Sequence, residues 1–288
     1  MAEAGRLTLA AKAPRRGIFG PVTVLRIAII VAVLATWELV AASGLLYRDV
    51  VPSLTAIGRA MVKVLSQPIV ACQSDFVLGP LELRWTLSEP EFFCHLGRTL
   101  YEIGVGLAIG GVSGLAVGIA LGGSKLLQRA YEPLLYYLGP TPKIIFFPIM
   151  IMWFGVGPGS KIAMGTISCF FPIALNVAAG MRQIDQVLIR VGRSFRASSW
   201  QMASKIYLPA MRLPVINGMR IGLGVALIGT LLAETRLSNR GIGFLVNQAY
   251  SLFNMPQMYA LLIVLFVIAI GANALIGRLG GLDDIKRV

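Results

Sequence analysis

Residues 183–213, QIDQVLIRVGRSFRASSWQMASKIYLPAMRL, form a polar, basic island in a chain that is otherwise apolar. With the preceding Arg182, the island holds six basic side chains (Arg182, Arg190, Arg193, Arg196, Lys205, Arg212) against one acidic one, Asp185. Apolar residues recur at Ile184, Val187, Leu188, Val191 and Phe195, a spacing that gathers them on one side of a helix. Ser198-Ser199-Trp200-Gln201 reads as a capping box that opens a second short helix, with Trp200, Ala203 and Ile206 on its apolar face. Leu208-Pro209 is expected to end that helix, because the residue before a proline is pushed out of the α region. Two short amphipathic helices between two hydrophobic spans make a docking device on which a soluble partner can push.

The surroundings of the island set the fold class. The chain has 288 residues, of which 56% are hydrophobic and 14% charged, the balance of a protein that crosses a membrane several times. Ile103–Ser124, Ile162–Met181 and Met255–Gly277 are charge-free runs of the length needed to cross about 30 Å of hydrocarbon. Pro133–Ser160 is broken only by Lys143, Ile27–Tyr47 only by Glu38, and Leu213–Ala233 only by Arg220. The expectation is an all-α membrane protein of six transmembrane helices, with a cytoplasmic pair of short coupling helices between helices 4 and 5. Residues 1–20 read as a mobile tail, 21–280 as the transmembrane domain with its coupling loop at 183–209, and 281–288 as a second tail. The first apolar run is too long for the core of a cleavable signal and is taken as a retained helix.

A formal charge of +13 invites a nucleic-acid reading, but the distribution of charge does not. Basic residues concentrate at the N-terminus, at Lys125 and Arg129, in the island, and at Arg278, Lys286 and Arg287. These are alternate loops of a six-span chain, so the positive-inside rule places the island and both termini in the cytoplasm. Arg236 and Arg240 fit less well, falling in a short outer loop. Cys72 and Cys94 lie in the outer 48–95 segment, where a disulfide is permitted; Cys169 lies inside a span and reads as a small packing residue.

Within the outer segment, Val51-Pro52-Ser53 followed by Ile57, Ala60, Met61, Val64 and Leu65 predicts an amphipathic surface helix. Gln67–Pro90 reads as loop. Gly106, Gly110, Gly114, Gly118 and Gly122, each four apart, form a strip against which another helix can pack closely in lipid. Pro133, Pro140, Pro142 and Pro148 predict a break around Gly139–Lys143. Broken backbone at membrane depth is tolerated where it lines a cavity or is covered by protein.

There is no Gly-Lys dipeptide and hence no Walker A loop. The single histidine, His95, makes a Ser/His/Asp set implausible. If ATP drives this chain, another subunit binds and hydrolyses it.

Arg190 to Arg220 resembles the cytoplasmic signature loop of permease subunits of binding-protein-dependent ABC importers: Glu-Ala-Ala, three residues, Gly, nine residues, then Ile-x-Leu-Pro. Ile206-Tyr207-Leu208-Pro209 matches its end, and Gly218-Met219-Arg220-Ile221-Gly222-Leu223 looks like the start of the family's fifth helix. Four groups of residues resemble the nitrate/sulfonate/taurine branch: Trp153-Phe154-Gly155-Val156-Gly157 with Lys161; Phe170-Phe171-Pro172-Ile173 with Asn176 and Gly180; Val51-Pro52-Ser53; and Ala233-Glu234 followed by Gly241-Ile242-Gly243. The resemblance covers roughly residues 25–280. It departs in the loop, where the family's Glu, two Ala and Gly fall on Arg190, Val191, Gly192 and Arg196. That glycine makes a turn at positive φ easy, and arginine there is awkward.

The resemblance implies an inner-membrane, non-catalytic permease subunit with no cofactor of its own. Its partners would be a pair of ATPase subunits, a second permease chain, identical or different, and an extracytoplasmic solute-binding protein. The ATPase-coupling residues would be Arg193, Arg196, Ser198, Trp200, Gln201, Lys205, Ile206, Leu208 and Pro209. Trp200 reads as an anchor in an ATPase cleft or as an interfacial aromatic, and the flanking loop favours docking. Lys143, Asn176 and Glu234 are pathway candidates, each with a structural alternative: Lys143 snorkelling to the headgroups, Asn176 bonding between helices, Glu234 pairing with Arg236 or Arg240. The branch points to a small oxyanion or sulfonate as solute, with a neutral heterocycle or vitamin precursor as the alternative. An ion-coupled secondary transporter would need several intramembrane carboxylates, and the spans offer Glu38 and Glu234.

Overall fold

The computed structural model describes residues 20–44, 50–66, 69–78 and 81–279, the 69–90 region by its backbone alone. The expected tails fall outside these residues, Gly20 excepted. Residues to Thr55 and from Ala56 form two units. In the first, α1 (Pro21–Ser43) starts with proline at its first turn and stops at Gly44, whose φ of 68° terminates the helix in the left-handed region. Glu38, the one acidic residue of this span, accepts the Leu54 N–H at 2.9 Å, and Trp37 donates its indole N–H to the Pro52 carbonyl at 3.1 Å. Glu38 thus caps α2 (Leu54–Leu65), the expected amphipathic helix.

The segment from 67 to 90 corrects the reading. It contains an antiparallel hairpin, β1 (Ile69–Leu78) paired with β2 (Leu81–Pro90) in a register running from Ile69↔Pro90 to Leu78↔Leu81. The signal was present: Leu81, Leu83, Trp85 and Leu87 alternate with Glu82, Arg84, Thr86 and Ser88, the period of two that a strand requires. Cys94 is disulfide-bonded, while the Cys72 side chain lies outside the described residues.

The membrane part is helical, as expected. α3 (Glu91–Gly123) is followed by α4 (Lys125–Leu138), then a 3-10 turn at Lys143–Phe146 and α5 (Phe147–Phe154). α4 and the Lys143–Phe154 piece are bent by 93°, so the third span is broken where the prolines place the break. α6 (Pro158–Arg182) leads to the island: α7 (Gln186–Ser194), α8 (Ser199–Gln201), a π-turn at Met202–Tyr207 and α9 (Leu208–Ala210). α10 (Arg212–Arg236), α11 (Ile242–Ser251) and α12 (Met255–Leu279) complete the chain. Five of these helices are long and apolar enough to cross a bilayer, and the bent pair makes a sixth if it forms one span.

α6 is the spine. The glycine strip of α3 lies along it in parallel: a Cβ at Gly106 would stand 3.1 Å from the Ile162 carbonyl oxygen, one at Gly110 2.7 Å from that of Thr166, and one at Gly118 2.6 Å from Val177 Cβ. The backbones come close enough for the Thr166 hydroxyl to donate to the Gly106 carbonyl at 3.2 Å. On its other side α6 meets the antiparallel α10 in the same way, with Gly165 against Thr230, Gly222 against Ile173 and Gly180 against Pro214. Cys169, Ile173, Ala174, Val177 and Ala178 are fully buried between the two neighbours. Cys169 is a free, packed thiol, as its sequence context suggested.

Gly118→Ala should cost about 1–3 kcal/mol through overpacking. Gly104→Ala, on the same helix but with nothing within 4 Å of its Cβ, should be neutral or stabilising by about 0.5–1 kcal/mol. Thermal unfolding of the two variants in detergent checks this, and equal midpoints would contradict the close α3–α6 contact.

Candidate functional site

At the end of the bundle away from the island, side chains from α3 and α10 close on the start of α11. A helix N-terminus leaves its first amides without intrahelical acceptors, and Gly241-Ile242-Gly243 supply no side chain to cap them. Partners come instead from other helices. Gly241 N–H donates to His95 Nδ1 at 3.0 Å, Ile242 N–H to Thr99 Oγ1 at 2.8 Å, and Gly243 N–H to Glu234 Oε2 at 2.7 Å. Thr99 in turn donates its hydroxyl to Glu234 Oε1 at 2.7 Å. His95 and Thr99 are one helical turn apart on α3, and Glu234 sits near the end of α10. A carboxylate at a helix N-terminus is also favoured by the helix dipole. Gly241, at φ 104°, has no room for a Cβ, which would fall 2.6 Å from Glu234 Oε2.

Two cations and a second carboxyl group surround this cap. Arg98 Nε donates to Glu102 Oε1 at 3.0 Å, and the Glu102 carboxyl faces that of Glu234. Lys161, on α6, is close enough to feel both carboxylates and donates to the Leu237 carbonyl at 2.8 Å and to the Val156 carbonyl. Glu102, Lys161 and Glu234 are almost wholly buried. Two positive side chains against two carboxyl groups leave the cluster formally balanced, the condition for keeping charges out of water. The arrangement ties α3, α6, α10 and α11 together, along with the loops that precede α6 and α11.

Of the sequence-derived pathway candidates, Glu234 belongs to this cluster and is bonded to Thr99 and Gly243. Lys143 donates to the Leu138 carbonyl at 3.1 Å and to that of Gly139, capping α4 across the break, and lies 5.0 Å from the Phe171 ring centre. Asn176 donates to the Pro172 carbonyl of its own helix at 2.8 Å rather than to a neighbouring helix. The three are not brought together. Arg98, Thr99 and Glu102 went unread because the second span was started at Ile103, whereas α3 begins at Glu91; His95 and Lys161 were noted in the sequence but not joined to Glu234. The spacing of His95, Arg98, Thr99 and Glu102 is that of one helix face, and this signal could have found them.

The island has the expected cap: Gln201 N–H donates to Ser198 Oγ at 3.3 Å and Ser198 N–H to Gln201 Oε1 at 2.8 Å. Leu208-Pro209 does not end the second helix, which runs on to Ala210. The π-turn carries the Leu208 N–H back five residues to the Ala203 carbonyl, and this wider winding accommodates the proline ring and its missing N–H. Between the helices, Arg196 adopts φ 50°. Its N–H donates to the Arg193 carbonyl at 2.9 Å and the Ala197 N–H to the Gly192 carbonyl at 3.1 Å, the two bonds of a Schellman stop. The left-handed turn is therefore kept with arginine at the residue that bends. Gly192 sits where the helices cross, a Cβ there falling 2.6 Å from Met202 Sδ.

Ile184 and Met211 anchor the island in the core beneath α6 and α10. The rest of its apolar face is open: Phe195 is 83% and Trp200 78% exposed, with Val187, Leu188 and Val191 also exposed. Arg193, Arg196, Ser198, Gln201, Lys205 and Pro209 are exposed beside them, and Ile206 and Leu208 are half-buried.

Glu234→Ala strands the Thr99 hydroxyl, the Gly243 amide and a buried lysine, and should cost about 3–5 kcal/mol; Glu234→Gln keeps an acceptor for one of them and should cost less. Arg196→Gly should stabilise the island by about 1 kcal/mol, since left-handed backbone is strained in any residue with a Cβ. Thermal unfolding and hydrogen exchange at Ala197 check both.

The model of the family "Binding-protein-dependent transport system inner membrane component" matches residues 112–282. The taurine transport system permease protein TauC of Escherichia coli (strain K12) is 32% identical over 69% of this chain and 76% of its own length. The formylaminopyrimidine transport permease protein ThiX of Halalkalibacterium halodurans is 30% identical over 78% of this chain and 89% of its own. Among solved structures, a chain from inward-facing conformations of the MetNI methionine ABC transporter superposes with a TM-score of 0.54 at 22% identity, covering 70% of this chain and 98% of that one, which shows a shared fold. With long apolar helices, a glycine-packed spine and a family match over more than half its length, the chain belongs to the inner-membrane permease components of binding-protein-dependent ABC importers.

Proposed function

We propose that the island is the seat of a separate ATPase subunit and lies in the cytoplasm with both termini, and that the importer carries a small sulfonate or related oxyanion. The exposed apolar face of the island carries this reading. Phe195, Trp200, Val187, Leu188 and Val191 stand open beside Arg193, Arg196 and Lys205, a surface of aromatic anchors rimmed by charge of the kind protein partners bury. The same positive charge supports a cytoplasmic position for it.

Ile184 and Met211 connect this face to the core that α6 shares with α10, so a push on the island is passed to the spine rather than absorbed by a flexible link. In the complete importer, two permease chains and two ATPases would work together. ATP-driven closure of the ATPases would open the pathway outward, where an extracytoplasmic binding protein delivers solute. This chain contributes the path and the lever; hydrolysis belongs to the ATPase. The sulfonate reading rests on the similarity to the taurine permease, and the formylaminopyrimidine permease keeps a heterocyclic solute as the second reading.

Trp200→Ala should leave the bundle folded while weakening ATPase co-purification and lowering solute-stimulated ATP hydrolysis at least tenfold in the reconstituted complex. Unchanged co-purification and stimulation would remove the docking role.

A further inference from the structure

Arg220 is the one charge inside the Leu213–Ala233 run, and neither the cap nor the island engages it. An ionisable side chain within a span is costly unless it finds a partner. Arg220 Nε donates to Asn273 Oδ1 of α12 at 3.0 Å. Its planar guanidinium lies over Gly277, where a Cβ would stand 3.8 Å from Cζ and Nη2 and 4.0 Å from Nη1. The remaining donors of the fork, on Nη1 and Nη2, meet no acceptor among the described residues. The carboxylates of the described spans are taken: Glu102 by Arg98, Glu132 by Arg182, and Glu38 and Glu234 by backbone amides. A second copy of this chain therefore brings no spare carboxylate from those spans to Arg220.

The side chain reaches towards headgroup level. Its Cα lies well inside α10, about 12 Å from the start of that helix at Arg212. The guanidinium instead sits against Gly277, next to Arg278 in the last turn of α12. α10 begins and α12 ends at the island's end of the bundle, and Arg212 and Arg278 are exposed there. A long cationic side chain that turns towards the end of a span puts its charge among lipid phosphates while its stem stays in hydrocarbon. From Gly277 an apolar strip leads back into the membrane. Ile270 and Phe266 lie on the same side of α12 as Asn273 and Gly277, and they are 69% and 65% exposed.

We propose that Arg220, oriented by Asn273, holds the phosphate of an anionic phospholipid at the groove between α10 and α12, with an acyl chain along Ile270 and Phe266. The guanidinium fork matches two oxygens of a phosphate, and basic sites between spans on the cytoplasmic side take anionic headgroups. The choice of leaflet rests on the orientation proposed above; the site itself depends on neither the importer reading nor the solute. A lipid held there braces α12 against α10, which meet through Leu223, Leu227, Ala269 and Ala272. A free oxyanion offers the same charged oxygens but nothing to cover the apolar strip.

The test uses the complete permease–ATPase complex, delipidated in detergent and titrated with dioleoylphosphatidylglycerol or dioleoylphosphatidylcholine, with bound lipid counted by native mass spectrometry. One tightly held phosphatidylglycerol per permease chain is expected. Arg220→Gln should weaken it at least tenfold. Arg220→Lys, which keeps the charge but loses the fork, should weaken it less. Arg129→Gln, which removes an exposed cation elsewhere, should leave it unchanged. Neither phosphatidylcholine nor excess inorganic phosphate should displace it. Binding unchanged in Arg220→Gln would overturn the proposal, and so would equal weakening by Arg129→Gln, the mark of diffuse attraction to a positive surface. Displacement by inorganic phosphate would show a free-oxyanion site and overturn the lipid assignment. Co-purification of the ATPase reports that each variant is assembled; if Arg220→Gln does not assemble, binding undiminished in Arg220→Lys overturns the fork. The importer reading fails separately, by loss of ATP-dependent, binding-protein-dependent uptake in the parent complex.

Discussion

The contact between helix backbones along α6 is the constraint on which the molecule depends. In lipid there is little hydrophobic gain from pressing one apolar helix on another, so association relies on packing. Gly106, Gly110, Gly114, Gly118 and Gly122 remove side chains from one side of that contact, and Gly165, Gly180, Gly218, Gly222 and Gly229 do the same where α6 and α10 meet. The three helices thereby pack as one close-fitted block. A rigid spine explains why the polar cap at one end and the basic island at the other both attach to α6 and α10: movement at one end has a stiff route to the other.

The two ends are built by opposite rules. The cap around α11 is buried and closed, its amides partnered by His95 and Thr99 of α3 and Glu234 of α10. The island is open, its aromatic residues left for something else to cover. On the proposed reading, this asymmetry suits a permease that holds its outer end closed while a soluble partner covers the island.

Much of this was legible in the sequence. Long charge-free runs gave the spans, four prolines gave the break after α4, and Ser198 to Gln201 gave the capping box, because each of these rests on local chemistry. The cap around α11 was not legible, because His95 and Thr99 lie more than 140 positions from the amides they accept and only the fold brings them together. The hairpin was missed although β2 alternates cleanly, because polar residues and prolines at its ends also look like loop. Arg196 shows the reverse: the sequence flagged it as a misfit for a left-handed turn, and the structure keeps the turn and places the arginine in it. At the crossing beside it, the glycine at 192 leaves the space that Met202 and Ile206 occupy.

Transport by the reconstituted chain is the most direct measurement. This chain, with the ATPase and binding protein encoded beside it, would be placed in proteoliposomes and solute uptake followed with ATP or with an imposed ion gradient. Uptake that requires ATP, the ATPase and the binding protein together is the expected result. Uptake by this chain alone, driven by the gradient and indifferent to ATP, would contradict the assignment of the island as a lever and of α6 as the element it moves.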